Sequence, residues 1–307
     1  MKKILLTGAK GMVGQNILNH DSAKLFNWLT PSRNELDLTS QNIVELYIHQ
    51  NHPDFVIHAA GMVGGIQANI NSPIDFLVNN MRIGMNVIHS SMLAGVPKLL
   101  NLGSSCMYPR NAPNPLQEKM VLSGEFEPTN EGYALAKVAS AKLCQYISQH
   151  PANYLYKTAI PSNLYGHYDD FGLDRSHMIP AVIDKLHRAK ANNTNNVEIW
   201  GDGMSRREFM FAHDLADFIF YTLKNFDLMP EILNIGVGTD LTINEYYRII
   251  AKEVGYEGSF SYDLAKPSGM NQKLLDISNL DEFGWCASTS LAQGIKKTYQ
   301  HYLEFCL

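Results

Sequence analysis

Short apolar runs alternate with longer amphipathic stretches along the first half of the chain. The runs Lys3–Thr7, Asp54–Ala59 and Lys98–Leu102 have the length of buried strands. Pro73–Ala94 and Tyr133–Ser148 carry apolar residues at helical spacing. Because periodicity alone does not separate a short strand from buried helix, the flanking Gly, Pro and Asn residues decide these assignments. The alternation predicts an α/β fold with a doubly wound parallel sheet of the Rossmann type.

The second half of the chain has a less regular pattern. His213–Leu223 and Ile243–Val254 read as helices, whereas Asn192–Asn196 and Lys266–Gln272 read as polar loops. We expect this part to form a smaller α/β lobe over the carboxyl ends of the strands, where open α/β folds bind ligands.

A glycine-rich turn follows the first predicted strand directly. Glycines at such a point permit a tight turn and the close approach of a cofactor pyrophosphate, and the next helix offers free N–H groups. A turn that serves only packing is the alternative, because three glycines alone are a weak signal. The position between strand and helix favours a dinucleotide site built from Gly8, Lys10, Gly11, Met12, Val13 and Gly14.

The segment after the expected second strand suggests which dinucleotide binds. An NAD enzyme usually has an acidic residue there for the ribose hydroxyl, but this segment contains Arg33 within Thr30–Glu35. Arg33, helped by Lys10, is suited to the extra phosphate of NADP because a guanidinium donates two hydrogen bonds in a fork. Two ordinary surface charges are the alternative. The sequence therefore favours NADPH/NADP as the cofactor.

Tyr133 and Lys137 are four residues apart and so share one face of a predicted helix. A nearby ammonium lowers the pKa of a phenol, so we expect Tyr133 to exchange a proton with a carbonyl oxygen near neutral pH. Ser104 follows a predicted strand and supplies a hydroxyl for the same oxygen. Chance also produces such a Tyr–Lys pair, but a glycine turn, a strand-end serine and the pair in this order are a strong signal for an oxidoreductase.

Further motifs extend the pattern over nearly the whole chain, and together they resemble the extended short-chain dehydrogenases and, more closely, the GDP-L-fucose synthase family. The runs that carry the closer similarity are Val63-Gly64-Gly65-Ile66, Leu102-Gly103-Ser104-Ser105-Cys106-Met107-Tyr108-Pro109, Glu127-Pro128-Thr129-Asn130-Glu131, Asn163-Leu164-Tyr165-Gly166, Ser176-His177-Met178-Ile179-Pro180, Trp200-Gly201, Arg207-Glu208-Phe209 and Lys273-Leu274-Leu275-Asp276.

The resemblance implies an enzyme that inverts C3 and C5 of GDP-4-keto-6-deoxy-D-mannose and then reduces C4 with NADPH. Tyr133 and Ser104 match the hydrogen-bond donors to the C4 oxygen, with Lys137 tuning Tyr133 and holding the nicotinamide ribose. Cys106 matches the base and His177 the acid of the epimerisation. Cysteine and histidine both titrate near neutral pH when their surroundings tune them. The alternatives are a buried filler cysteine and a capping or packing histidine.

The same resemblance implies residues that bind the sugar nucleotide. Asn163 and Arg207 match family positions at the substrate, Arg207 at the diphosphate. Lys273 is either a second ligand of the diphosphate or a solvated surface charge. Trp200 either lines the nucleotide site or belongs to the core. Lys185 stands where the family commonly has arginine. The sequence also departs from the family pattern at Ala9-Lys10, Gly132 and Gln272. These differences do not affect the catalytic residues, and they lie at the edges of the nucleotide and sugar sites.

Other functions remain alternatives at this level. One is an enzyme of the GDP-L-colitose synthase type, with C5 epimerisation and C4 reduction. Another is a C4 reductase of a GDP-4-keto-sugar or heptose that lacks epimerase activity. A catalytically silent NADP-binding regulator would be marked by loss of Tyr133 or Lys137, and both are present.

Composition and charge narrow the partners and the compartment. The chain has 307 residues, 45% of them hydrophobic, and a formal net charge of -5. No basic block supports nucleic-acid binding, and no apolar stretch approaches the roughly 20 residues of a membrane helix. The start of the chain reads as a strand rather than a signal peptide. Four scattered cysteines suit a reducing cytoplasm, and the resemblance implies a homodimer that uses the helices of Pro73–Ala94 and Tyr133.

The predicted domain division follows from these motifs. We expect an NADP-binding domain over residues 1–166, joined by a returning segment near 207–236. The nucleotide-sugar lobe is then expected over 167–206 and 237–307. Fold alone does not settle the exact sugar.

Overall fold

Strands and helices alternate through the first half of the protein, as the apolar periodicity predicts. The computed structural model describes residues 1–172, 176–266 and 269–306. The first elements, in chain order, are β1 (Lys3–Thr7), α1 (Met12–Leu18), β2 (Asn27–Leu29), α2 (Gln41–Asn51), β3 (Phe55–His58), α3 (Ile66–Asn71), α4 (Pro73–Leu93), β4 (Lys98–Leu102), α5 (Glu131–Ser148) and β5 (Leu155–Pro161).

Shorter strands and five further helices make up the rest of the described chain. They are β6 (Asn163–Tyr165), α6 (Met178–Ala191), β7 (Asn196–Trp200), β8 (Arg206–Arg207), β9 (Phe209–Phe211), α7 (Ala212–Asn225), β10 (Ile232–Ile235), β11 (Leu241–Thr242), α8 (Ile243–Val254), β12 (Ser259–Asp263), β13 (Gln272–Lys273), α9 (Ser278–Phe283) and α10 (Leu291–Phe305).

Six parallel strands form the central sheet in the order β10-β5-β4-β3-β1-β2. From β1 the chain first moves to one side, at β2, and then to the other side, at β3. The carboxyl ends of β1 and β3 therefore flank the point where the strand order reverses, and Thr7 lies opposite His58 there. Open α/β sheets bind ligands at this point.

Successive residues of the central strands pack against opposite layers of helices. Ile4 and Leu6 of β1 pack with Phe218 of α7, whereas Leu5 packs with Ile48 of α2 and Val87 of α4. All of these side chains are buried. Burial on both faces explains why the strand reads as a continuous apolar run, and it confirms the predicted doubly wound α/β fold.

A second apolar core lies among helices α6, α8 and α10. Ile183, Ile250 and Ile295 are buried in it, one from each helix. The Tyr302 hydroxyl also donates a hydrogen bond of 2.8 Å to Asp184 Oδ1 within this lobe. Before α8 the chain returns to the central sheet as β10, which pairs with β5. A smaller α/β lobe thus accompanies the main sheet.

The two predicted polar loops each contribute to a short strand. Asn196 is the first residue of β7, which pairs with β12, and Gln272 is the first residue of β13, which pairs with β8. Pairing between distant segments leaves little local signal, so the sequence prediction placed both residues in loops. Residues 267–268 of the second predicted loop lie outside the described residues.

Candidate active site

The glycine turn after β1 packs tightly against the end of β3. Gly8 has a φ of +75°, and a Cβ on it would lie 2.8 Å from the amide nitrogen of Ala60. A Cβ on Gly14 would lie 2.3 Å from the carbonyl oxygen of Gly8, so both positions require glycine. A Cβ on Gly11 would meet that oxygen at an ordinary 3.4 Å. Space therefore remains in front of the backbone where α1 begins, which fits the approach of a dinucleotide pyrophosphate.

Two exposed cations, Lys10 and Arg33, lie at this end of the sheet. Because β1 and β2 are parallel neighbours, the turns that follow them share one edge. Hydrogen bonds with Ser32 hold the pKa of Glu35 below its ordinary value, and Lys10 lowers it further. The charge of Lys10 therefore reaches the segment that contains Arg33. The two cations are placed to bind the same anionic group.

Ser104 and Cys106 follow the end of β4 in a tight turn. A Cβ on Gly103 would lie 2.9 Å from Met107 Sδ, so the chain turns at glycine. Ser104 Oγ then accepts a hydrogen bond of 3.4 Å from the Cys106 amide, at the start of the 3-10 turn Ser105–Met107. Cys106 is buried with 5% of its surface exposed. The turn thus brings a hydroxyl and a thiol to the carboxyl end of β4.

Tyr133 and Lys137 lie on the first turns of α5, as predicted, and face the same strand end. Lys137 Nζ lies 5.7 Å from the centroid of the Tyr133 ring and donates a 2.9 Å hydrogen bond to the Leu102 carbonyl. A Cβ on Gly61, after β3, would lie 3.7 Å from Lys137 Nζ. The pair is therefore held between β3 and β4, close to Ser104.

Burial controls the protonation of this pair. Burial raises the pKa of the Tyr133 phenol well above its ordinary value, and the hydrogen bond with Ser104 opposes this only in part. Burial also lowers the pKa of Lys137 to about 8. The expected lowering of the phenol pKa by Lys137 is not seen in this structure, where burial and then Cys106 raise that pKa. Tyr133 is instead held as a neutral O–H donor.

The Cys106 thiol lies within electrostatic reach of two lysines. Burial raises the pKa of Cys106, and Lys273 opposes this most, followed by Ser104 and Lys137. Cys106 in turn raises the pKa of both lysines. Burial thus favours the thiol, and the lysines stabilise the thiolate that forms when the thiol loses its proton. A cysteine that only fills the core would not need these neighbours.

Lys273 and Arg207 are paired positions of the parallel strands β13 and β8. Burial lowers the pKa of both side chains, and Glu127 raises both. Asn163 Nδ2 donates a 2.9 Å hydrogen bond to the Glu208 carbonyl next to Arg207. The structure therefore brings the cations Arg207 and Lys273 together, with Asn163 next to them, and the cations suit a diphosphate.

His177 occupies the N-cap position of α6, where its side chain forms no capping hydrogen bond. Its Nδ1 lies 3.9 Å from Asp169 Oδ1, and Asp169 raises the pKa of His177. The carbonyl oxygen of Ser176 lies 3.4 Å from the Cβ position of Gly65. The start of α6 is thus next to the segment after β3 that also adjoins Lys137, and the capping alternative does not apply.

Lys185 and Trp200 lie together in the smaller lobe. Lys185 Nζ donates a hydrogen bond to the Glu198 carbonyl, two residues before Trp200. Trp200 is 47% exposed, and Lys266 Nζ lies 5.2 Å from its ring centroid. The core alternative for Trp200 is therefore wrong. No contact described by the structure joins these residues to the group around Cys106.

The motifs in the sequence did not identify Asp169, and they assigned no role to Glu127 or Glu208. Glu127 acts on both Arg207 and Lys273, and Asp169 acts on His177. Glu208 is fully buried and accepts hydrogen bonds from the amides of Val237, Gly238 and Leu275. Glu127 and Glu208 stand in the quoted motifs, but Asp169 gave no signal, because an aspartate pair in a polar stretch is common. His58, hydrogen-bonded to Thr7 at 2.8 Å, stays structural.

A dinucleotide-type turn, a strand-end serine and a buried Tyr–Lys pair meet at the switch point of a doubly wound sheet. These features define a short-chain dehydrogenase/reductase of the extended kind. The family profile described as the NAD dependent epimerase/dehydratase family matches residues 4–236. The chain belongs to this family.

Curated relatives extend over the full length of the chain. A GDP-L-colitose synthase of Yersinia pseudotuberculosis is 56% identical over 98% of this chain and 98% of its own. A GDP-L-fucose synthase of Azorhizobium caulinodans is 48% identical over 98% of this chain and 96% of its own. These matches confirm the resemblance to the GDP-L-fucose synthase family that the motifs indicated.

A solved structure shares the fold at similar coverage. The protein MlghC, a GDP-mannoheptose C4 reductase of Campylobacter jejuni with NADP bound, has a TM-score of 0.88 and 33% identity over 98% of each chain. Among the described residues, no helix is long and apolar enough to cross a membrane.

Proposed function

We propose that this protein is an NADPH-dependent enzyme that epimerises C3 and C5 of GDP-4-keto-6-deoxy-D-mannose and reduces C4, to give GDP-L-fucose or a closely related GDP-deoxysugar. The observation that carries the proposal is the buried Cys106 thiol beside the Ser104–Tyr133–Lys137 group and near the cations Lys273 and Arg207. A plain reductase needs no thiol there. The names of the relatives support the same substrate class.

The cofactor site is assigned to the turn after β1 and to the residues around it. The dihydronicotinamide supplies the hydride for C4 when NADPH is bound. The turn accommodates the pyrophosphate, Arg33 and Lys10 select the extra phosphate, and Lys137 holds the nicotinamide ribose. The full set is Gly8, Lys10, Gly11, Met12, Val13, Gly14, Arg33, Tyr133 and Lys137.

Ser104 and Tyr133 act on the C4 oxygen of the sugar in both reactions. The protons at C3 and C5 become acidic only when negative charge on that oxygen is stabilised by hydrogen-bond donors. The high pKa of Tyr133 keeps its O–H available as such a donor. In the reduction, Tyr133 gives this proton to the C4 oxygen, and Lys137 beside it offsets the charge that remains.

Cys106 and His177 provide the proton transfers at carbon. Cys106, as thiolate, removes a proton from one face of the sugar, and the C–H electron pair moves into the enolate. His177 returns a proton to the opposite face, and the enolate pair forms the new C–H bond. Lys273 and Lys137 stabilise the thiolate.

Arg207, Lys273, Asn163, Lys185 and Trp200 are assigned to the GDP moiety. The first two suit the diphosphate, because guanidinium and ammonium groups donate strong hydrogen bonds to phosphate oxygens. Trp200 offers a half-exposed ring and Lys185 a cation in the smaller lobe. We also propose the domain division at residues 166, 207 and 236. The lobe core around Ile183 and Ile250 supports it, although Phe211 of the returning segment packs in that core and Trp285 packs in the core of the main sheet.

The deciding experiment measures NADPH oxidation with GDP-4-keto-6-deoxy-D-mannose in heavy water, followed by NMR of the product. Deuterium at C3 and C5 of GDP-L-fucose is the expected result, because only enolisation exchanges carbon-bound protons. Reduction without deuterium would leave a C4 reductase. The absence of oxidation with any GDP-4-keto-sugar would overturn the substrate class.

A second candidate is the reaction of the GDP-L-colitose synthases, because the colitose relative is more similar than the fucose relative reported above. The substrate would then lack the C3 hydroxyl, and C5 alone would invert. Preference for the 3-deoxy substrate, with deuterium at C5 only, would decide for this candidate.

We also propose a cytoplasmic homodimer that uses α4 and α5. Ile74, Val78 and Met85 lie on one face of α4 at helical spacing, and each is at least 37% exposed. Leu135 and Tyr146 of α5 are exposed as well. A patch of this kind favours association.

A further inference from the structure

We propose that Asp169 is a positioning residue that holds His177 as the charged proton donor of the epimerisation. This proposal rests on the function proposed above. It concerns the segment after β6, which the proposed mechanism has not used.

The geometry places a buried carboxylate at one nitrogen of the His177 ring. Asp169 Oδ1 lies 3.9 Å from His177 Nδ1, which is within ion-pair distance but too long for a direct hydrogen bond. The Asp169 side chain is only 4% exposed, whereas that of His177 is 39% exposed. Solvent screens the buried carboxylate little on its own side, so it favours a positive charge on the ring beside it.

The hydrogen bonds of Asp169 leave part of the carboxylate for this task. Oδ1 accepts a 2.9 Å hydrogen bond from the Asp170 amide. Oδ2 is buried, and among the described residues it has no hydrogen-bond partner. A buried carboxylate oxygen without a partner is costly, and a positive charge on His177 offsets part of that cost.

Asp169 also determines which nitrogen of His177 can react. Since Nδ1 faces the carboxylate, Nε2 is the nitrogen left to give its proton to the sugar carbon. In that step the Nε2–H bond breaks, and the enolate electron pair forms the C–H bond while the C4 carbonyl is restored. His177 becomes neutral and keeps the Nδ1 proton toward Asp169. Solvent then returns a proton to Nε2, and the Cys106 thiol releases the proton taken from the sugar.

Within the described part of the chain, the charged groups that act on His177 are Asp169 and Asp170, which belong to one segment. Asp169 raises the pKa of His177 most, Asp170 raises it further, and burial lowers it. The neighbouring segment after β3 contributes Gly65, which carries no charge. A histidine with a raised pKa is protonated at low pH and loses its charge as pH rises through that pKa. Loss of Asp169 therefore moves this loss of charge to lower pH.

The first test is an NMR titration of the whole protein labelled at histidine, with His177→Asn used to assign the signal. We expect the midpoint of His177 to fall in Asp169→Asn and to be largely retained in Asp169→Glu. Asp170→Asn is the matched control, because Asp170 is exposed and its side chain binds the Gly172 amide. It should shift the midpoint less. An unchanged midpoint in Asp169→Asn, or an equal shift in Asp170→Asn, would overturn the proposal.

The second test is the rate of deuterium incorporation into the sugar as a function of pH. In Asp169→Asn we expect the alkaline limb to move to lower pH, with roughly tenfold slower incorporation at pH 8 and a KM within about twofold of the native value. Asp169→Glu should recover most of the rate. A loss that is equal at every pH would indicate a merely structural role and contradict the proposal.

The two tests separate this inference from the proposed function. The titration needs no substrate, so it decides the link between Asp169 and His177 even if the native enzyme incorporates no deuterium. That last result would instead overturn the epimerisation, and with it the role of His177 as proton donor.

Discussion

Cys106 and Cys144 are both buried thiols, but their surroundings differ. Burial raises the pKa of Cys144 to about 12, and no lysine opposes it. At Cys106, Lys273 and Lys137 oppose the effect of burial. The motif around Cys106 singled it out in the sequence. Lys273, which lies 167 positions after Cys106 in the chain, becomes its neighbour only through β13.

Replacement of Cys106 by serine tests its role as base. We expect Cys106→Ser to slow deuterium incorporation by about a hundredfold or more, since a positioned base contributes about that factor. Cys144→Ala, which changes a buried thiol of α5, should leave the rate within about threefold. Equal effects of the two changes on incorporation would contradict the assignment.

The Arg33 side chain is exposed, so its role can be tested without disturbing the core. Arg33→Ala should weaken NADPH binding about tenfold and leave NADH binding unchanged, because a charge-assisted hydrogen bond contributes about 1.5–3 kcal/mol. Calorimetric titration measures both constants. Arg248→Ala, at an exposed position of α8, serves as control. Equal loss for both nucleotides would remove Arg33 from the phosphate site.

Lys137 illustrates the cost of a buried functional charge. Its pKa of about 8 lies below that of an unfolded lysine, so its charge destabilises the folded state below pH 8 and this cost disappears as pH rises toward 10. Lys137→Met should therefore raise the free energy of unfolding at pH 7 by about 2 kcal/mol, while abolishing reduction.

Urea unfolding at pH 7, 8.5 and 10 checks this prediction. The gain of Lys137→Met over the native protein should shrink as pH rises. Lys224→Met removes an exposed lysine of α7 and should change the free energy of unfolding by less than about 0.5 kcal/mol at every pH. A gain that does not depend on pH would mean that packing, and not the buried charge, is responsible.

At the scale of elements, local signals determined which boundaries could be predicted. The helical pattern predicts α8 with its observed bounds. The structure adds the cause of these bounds, since Thr242 and Glu245 form a capping box and Gly255 ends the helix in the left-handed region. The strands β8 and β13 have two residues each, and the sequence did not reveal them. Strand β8 pairs with β13 on one side and with β11 on the other. These strands come from segments that are far apart in the chain.

The capping box of α8 gives a prediction at this scale. Thr242→Ala removes the acceptor for the Glu245 amide, and we expect it to lower the free energy of unfolding by about 1 kcal/mol. Thr194→Ala, in the exposed loop after α6, is the control and should have little effect. Chemical denaturation of both variants compares them, and equal stabilities would show that the cap contributes nothing.

At the scale of the whole molecule, the site combines residues that are far apart in the chain, and Cys106 and Tyr133 share an apolar cluster with Leu275. The glycine turn and Ser104 follow strands of the central sheet, and the Tyr–Lys pair lies on α5, which packs beside it. Lys273 and His177 come from the smaller lobe, and Arg207 lies at the start of the returning segment. Glu208 links these parts. Its carboxylate accepts hydrogen bonds from backbone amides of the segment after β10 and from the amide of Leu275 after β13. The proposed dimer would join two chains through α4 and α5.

The proposed dimer predicts that a charge on the α4 face separates the subunits. Met85→Glu should reduce the mass in solution to that of one chain, because an unpaired carboxylate would be buried between subunits. Light scattering after size exclusion at micromolar concentration measures the mass. Leu228→Glu, at a position 78% exposed elsewhere, is the control. A native protein that is already monomeric would contradict the dimer.

The sequence by itself determined the class of fold, the order of the main strands and helices, and the residues Ser104, Tyr133 and Lys137, because these depend on local periodicity, turn chemistry and helical spacing. Only the tertiary structure decided that burial raises the pKa of Tyr133, that Lys273 faces Cys106 and that Asp169 faces His177. Desolvation and charge act through space, and the partners come from elements that are separated along the chain. The chemistry of each side chain therefore depends on neighbours that its own segment does not reveal.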